Sequence, residues 1–72
     1  MADSVYKIIE LVGTSTSSWE DAARNAVEKA AESLDDVRIA EVVTLDMRVE
    51  DDKVTAYRAR VKISFKLRDS AD

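Results

Sequence analysis

The sequence predicts an α+β fold of order β-α-β-β, with three strands in one antiparallel sheet ordered 1-3-2 and a single helix against it. Three observations carry this. Residues 57 to 67 alternate without a slip, Tyr57, Ala59, Val61, Ile63, Phe65 and Leu67 on one side and Arg58, Arg60, Lys62, Ser64 and Lys66 on the other, which is the period of a strand with one face in a core. Upstream, Ala22, Ala23, Ala26, Val27, Ala30 and Leu34 fall on one helical stripe. Between these segments, Asp51-Asp52 separates two long runs by only two residues, the spacing of a hairpin.

The first strand is read over residues 4 to 12, where Val5, Ile8, Ile9 and Val12 give β-branched character. Gly13, the only glycine, is expected to end it. The polar run Thr14 to Ser18 then leads into a helix at Trp19, with Ser17 and Glu20 fitting a capping box. A stripe made almost wholly of alanine lets the helix approach a sheet closely but buries little area, so at about 25 cal/mol/Å² the interface is thin. Asp35 and Asp36 oppose the dipole of a helix C-terminus and are assigned to the turn. Val37 to Glu50 form the second strand, and Lys53 begins the third. A right-handed crossover that leaves one strand-width open lets the third strand insert between the other two, antiparallel to both. Only Asp69-Ser70-Ala71-Asp72 remain as a tail, and residues 1–72 form one domain.

Seventy-two residues with no cysteine and no histidine cannot use a disulfide, a thiolate metal site or an imidazole base. A single core of this size supplies only about 3–5 kcal/mol, so assembly with other copies is the expected source of further stability. Hydrophobic residues at 46% against 36% charged mark a folding chain. The net charge of −4 argues against a general nucleic-acid partner. No apolar run reaches the roughly 20 residues of a membrane span, and Met1-Ala2-Asp3-Ser4 does not begin a signal peptide. A soluble cytoplasmic protein is expected, without a membrane partner. The poor acid–base inventory argues against an enzyme, and no catalytic residue is assigned.

Four features invite a functional reading. Trp19, the only tryptophan, is read as a core or interface anchor ahead of a stacking platform. The Thr/Ser run before it could cradle an anion at the helix N-terminus, although hydroxyl-rich caps are common. Asp46, Glu50, Asp51 and Asp52 are the credible metal ligands, an all-oxygen set that suits calcium or magnesium, with Asp46 first and Glu50 second; a merely solvated acidic turn is the plainer alternative. The basic stripe Arg58, Arg60, Lys62 and Lys66 is set to pair across strands with acids such as Asp46 and Glu50. The sharper reading puts Arg60 and Lys62, with Trp19, in an intersubunit surface.

The β-α-β-β order, the opening Val5-Tyr6-Lys7-Ile8-Ile9-Glu10-Leu11-Val12-Gly13-Thr14-Ser15, the Ala40-Glu41-Val42 segment and the close Tyr57 to Leu67 resemble the dodecins over nearly the whole chain. The resemblance implies a hollow homododecamer in which the sheet curls around the helix, most members binding flavins in pairs at two-fold interfaces. Two family flavin contacts are substituted. The residue two before the second-strand glutamate, a stacking tryptophan in flavin-binding members, is Ile39; the residue after the third-strand tyrosine, usually a glutamine reading the flavin edge, is Arg58. Thr14 to Glu20, Asp35 to Arg38 and Asp46-Met47 are similar to a calcium-binding branch. The resemblance therefore implies a non-enzymatic homododecameric shell that binds or sequesters a small ligand or ion, a divalent cation first, with flavin affinity weak or absent. A flavin storage and protection protein is the alternative.

Overall fold

A computed structural model describes residues 4–67, so Met1 to Asp3 and Arg68 to Asp72, which include the expected tail, lie outside the described residues. Four elements follow in order: β1 (Tyr6–Ser15), α1 (Trp19–Ser33), β2 (Val37–Glu50) and β3 (Lys53–Lys66). The sheet order is β1-β3-β2, and the alternating strand β3 is central and antiparallel to both neighbours, as its period and the crossover argument require.

The strand and helix starts need two corrections. β1 does not end at Gly13 but runs on to Ser15, with Gly13 opposite Ala59 and Ser15 opposite Tyr57. Gly13 is not a left-handed residue; it is required because a Cβ there would lie 2.0 Å from the Ala22 carbonyl oxygen and 3.0 Å from the Ala26 Cβ. The glycine therefore marks where the helix backbone touches the strand, and the strand continues through it. At the helix start, the N-cap is Ser18, whose Oγ accepts the Asp21 N–H at 3.0 Å, and not Ser17. The helix opens at Trp19, so the third residue in is Asp21, one position beyond the expected Glu20.

Ala22, Ala26 and Ala30 of the stripe are buried, and Ala26 and Ala30 pack with Val61 and Ile63 as the core. Ile9, Leu11, Ala23, Val27, Leu34 and Val37 close around them. Only Ile63 and Val61 are large side chains with full burial among the described residues, so the core is as small as the alanine stripe predicts. The helix packs on β1 and β3 and leaves β2 largely uncovered. Along β2, Ile39, Val42, Leu45, Met47 and Val49 are each 45% to 65% exposed. The described chain measures 55 × 20 × 14 Å, a shape set by the long β2–β3 hairpin. No helix of the described residues is long and apolar enough to cross a membrane.

Three register shifts interrupt the hairpin, leaving Arg38 and Val43 of β2 and Thr55 of β3 as extra residues between paired ones. Such bulges change the parity of a strand in mid-run. Ile39 and Glu41 consequently pair with Ser64 and Lys62, while the even-numbered Thr44 and Asp46 pair with Arg60 and Arg58, all on the β3 face that carries the cations.

Candidate functional site

On that face β3 supplies a central column, and its neighbours supply the flanks. Directly opposite pairs share a face of the sheet. Ser64 lies between Ile8 and Ile39, Lys62 between Glu10 and Glu41, Arg60 between Val12 and Thr44, and Arg58 between Thr14 and Asp46. Lys62 thus has an acid in register on each side, whereas Arg60 has none.

Arg58 makes the tightest polar contact on this surface. Its Nε donates to Asp46 Oδ1 at 2.7 Å and its Nη2 to Oδ2 at 3.1 Å, a two-pronged guanidinium–carboxylate pair of the stronger kind. The hydrogen bond to Arg58 holds the Asp46 carboxyl below the ordinary aspartate range; partial loss of solvent opposes this, and the charges of Arg58 and Arg60 add to it. The same contact raises the Arg58 guanidinium. Both groups are therefore ionised across the neutral range.

Asp46 is also fixed through its backbone. The Trp19 indole Nε1–H donates to the Asp46 carbonyl at 3.1 Å, and the Trp19 ring meets Tyr57 edge-on, with centroids 5.1 Å apart and planes at 68°. Trp19 is half-buried and ties the first turn of α1 to β2. This link joins residues 27 apart, and no local pattern in the sequence announces it. Asp46 is consequently a junction, holding the helix with its carbonyl and the central strand with its carboxylate.

The Thr/Ser run is committed to local structure. Ser15 Oγ donates to Asp21 Oδ2 at 3.0 Å and accepts the Ser17 N–H at 2.9 Å, while Asn25 Nδ2 donates to the Thr14 carbonyl at 3.0 Å. With Asp21 already placing a carboxylate in the first turn, the positive end of the helix is satisfied from within.

The remaining candidates are scattered. Ile39 is 65% exposed and pairs with Ser64, six residues along β3 from Arg58, or about 20 Å at the rise of a strand. One chain does not bring Ile39 and Arg58 together. Glu50 pairs with Lys53 at the hairpin end, about 13 Å from Asp46 by the same rise. Asp51 and Asp52 form the turn with φ of 51° and 62°. Among the described residues no three acids converge as a metal-binding group. Asp46 is an ionised oxygen donor on the surface, the kind of group a hard cation takes, but both its oxygens are held by Arg58. Arg60 and Lys62 are exposed on the face away from the helix.

Comparison with known proteins gives a consistent picture. The dodecin family model matches residues 5–68. The chain is 48% identical over 65 residues to the calcium dodecin of Mycobacterium tuberculosis, covering 90% of this chain and 92% of that protein. A crystal structure of that organism's calcium dodecin, described as calcium-chelating with a novel calcium-binding site, superposes with a TM-score of 0.80 at 48% identity, covering 92% of this chain and 94% of that one. The dodecin of Streptomyces coelicolor superposes with a TM-score of 0.89 at 33% identity over 97% of this chain and all of that one.

Proposed function

The chain belongs to the dodecin family, and from that premise we propose that it forms a non-enzymatic homododecameric shell that binds a hard divalent cation, calcium first, and binds flavin weakly. The observation that carries this reading is the occupied fork of Arg58. The side chain at the position of the family's flavin-edge glutamine donates both prongs to Asp46, and a guanidinium has no acceptor to offer a ring edge. Ile39, at the stacking position, supplies aliphatic surface without the aromatic contact. The likeness to a calcium dodecin at 48% identity supports the cation.

The assembly follows from what a single chain leaves unfinished. A core with two large fully buried side chains is thin for a 72-residue fold, and the apolar residues of β2 offer the missing area to neighbouring copies. A ligand touching both Ile39 and Arg58 must then be held by two chains. Twelve chains at −4 each give about −48 before counterions, a self-repulsion that bound cations relieve. Calcium suits a shared, irregular set of carboxylate, backbone and water oxygens, whereas magnesium demands near-octahedral order. Asp46 is the first ligand in this reading and Glu50 the second, from a different part of the shell.

The flavin-storage alternative retains one observation, the exposed aliphatic pair Ile8 and Ile39 flanking Ser64, which could sandwich a planar ring. Native mass spectrometry tests subunit count and bound species together, and calorimetric titration with calcium and with riboflavin separates the two ligands. A shell of twelve that takes up calcium and leaves riboflavin fluorescence unquenched is the expected result. A stable 8 kDa monomer, or tight riboflavin binding without calcium binding, overturns it.

A further inference from the structure

We infer that Asn25 guards the free edge of β1: its side-chain amide occupies a backbone carbonyl that a second copy of this chain would use to add its own β1 to the sheet. β1 is one of the two edges of the sheet. The other edge, β2, is broken by the Arg38 and Val43 bulges, whereas β1 pairs with β3 from Tyr6 to Ser15 without a register shift. A straight edge with β-branched residues is the kind that recruits another strand. One contact fixes which backbone groups face outward. The Leu67 N–H donates to the Val5 carbonyl at 2.9 Å, so the odd-numbered residues of β1 bond to β3, and antiparallel alternation turns the N–H and C=O of Ile8, Glu10, Val12 and Thr14 to the free side. The bond from Asn25 Nδ2 to the Thr14 carbonyl at 3.0 Å is therefore made at the edge itself.

Packing alone does not close this end of the strand. A cavity of about 400 Å³ lies between Leu11 to Thr14 on one side and Asn25, Ala26 and Lys29 on the other, so the amide and not a layer of side chains is what stands at the edge. Asn25 is exposed in the middle of α1, where asparagine is a poor helix former; the contact across to β1 accounts for it better than the helix does. In a two-fold pairing of two β1 edges that sets Ile8 opposite Val12, Tyr6 falls opposite Thr14, and the Thr14 carbonyl must take the Tyr6 N–H. Asn25 already holds that carbonyl, and symmetry repeats the obstruction at the other end. The same register sets Glu10 opposite Glu10, a like-charge pair that opposes it further.

The experiment follows growth of the full chain beyond the parent's own assembly, by light scattering and thioflavin T fluorescence at one chain concentration, with melting curves alongside. Alanine is the better helix former, so Asn25→Ala should melt close to the parent and yet grow about fivefold faster, the size of one net hydrogen bond. The gain must vanish when the edge is blocked by other means. Proline at position 12 removes an N–H that faces the free side and spares the bonds to β3, so Asn25→Ala/Val12→Pro should return to the parental rate. Asn25→Ala/Val12→Lys, which puts a charge on the edge strand, carries the test if the proline variant does not fold. A parental rate in Asn25→Ala, or a gain that survives both second substitutions, overturns the inference. The comparison holds whether the parent is a shell or a single chain, so neither outcome bears on the cation or flavin reading.

Discussion

Replacing Gly13 with alanine adds one methyl group and should undo much of the fold. The added carbon would meet the Ala22 carbonyl oxygen at 2.0 Å and the Ala26 side chain at 3.0 Å, against an ordinary separation of about 3.5 Å or more. Neither obstacle is a flexible side chain, since one is helix backbone and the other is a buried methyl, so the whole helix must retreat by about 1.5 Å. A gap of that size forfeits at least half of each dispersion contact it opens, and it opens along Ala26 and Ala30 against Val61 and Ile63. Overpacking alone costs about 1–3 kcal/mol; with the loosened core the expected loss is about 3 kcal/mol or more. For a domain this small each 1 kcal/mol moves the melting temperature by about 4–8 °C, so the drop should be about 12 °C or more. Parent and variant are compared by circular dichroism at one protein concentration, because the proposed assembly would make apparent stability depend on concentration. The exposed neighbour Val12→Ala is the control. A Gly13→Ala melting temperature within about 4 °C of the parent would refute the close approach of helix and strand.

Three further outcomes are expected. Ser18→Ala should cost about 1 kcal/mol in denaturant unfolding and Ser17→Ala only a few tenths; equal effects would return the cap to Ser17. The pair Ile39→Trp with Arg58→Gln should restore riboflavin quenching that the parent lacks, and an unquenched double variant would show that more than these two side chains blocks the ring. Asp46 has a depressed folded pKa, so its contribution to stability is present above the unfolded aspartate value of about 3.9 and is lost as pH falls through the lower folded value. Asp46→Asn should flatten the acid limb of a denaturant-midpoint series taken downward from pH 5, and an unchanged slope would deny the role of the Arg58 contact.

The fold was legible where one period ran unbroken. β3 alternates over its apolar and basic faces and is central; the alanine stripe packs as its spacing requires; β2 runs from Val37 to Glu50 as read. Gly13 misled because the sequence cannot tell a glycine that breaks a strand from one that lets a helix touch it. The cap slipped by one residue because Ser17 and Ser18 both satisfy the pattern, and only the position of the first turn chooses. The site was less legible. Asp46 was read as pairing with the basic stripe and does pair with Arg58, although the register that joins them runs through the Val43 bulge. The same bulges put Ile39 and Asp46, of opposite parity, on one face, which no continuous period-two reading allows. Trp19 reaching the Asp46 carbonyl is a tertiary contact without a local signal.

The uncovered β2 strand also fixes a rate law. A newly synthesised chain carries a long edge strand with Leu45, Met47 and Val49 in water, and an open edge accepts any strand with free backbone groups. The Arg38 and Val43 bulges break the straight run that such additions need. They slow the wrong encounter without supplying the right one, and in the proposed shell the rate of the right one would rise with the square of the concentration of like chains. If the shell forms, the time each molecule spends with this edge in water would then be set by how many copies are made with it.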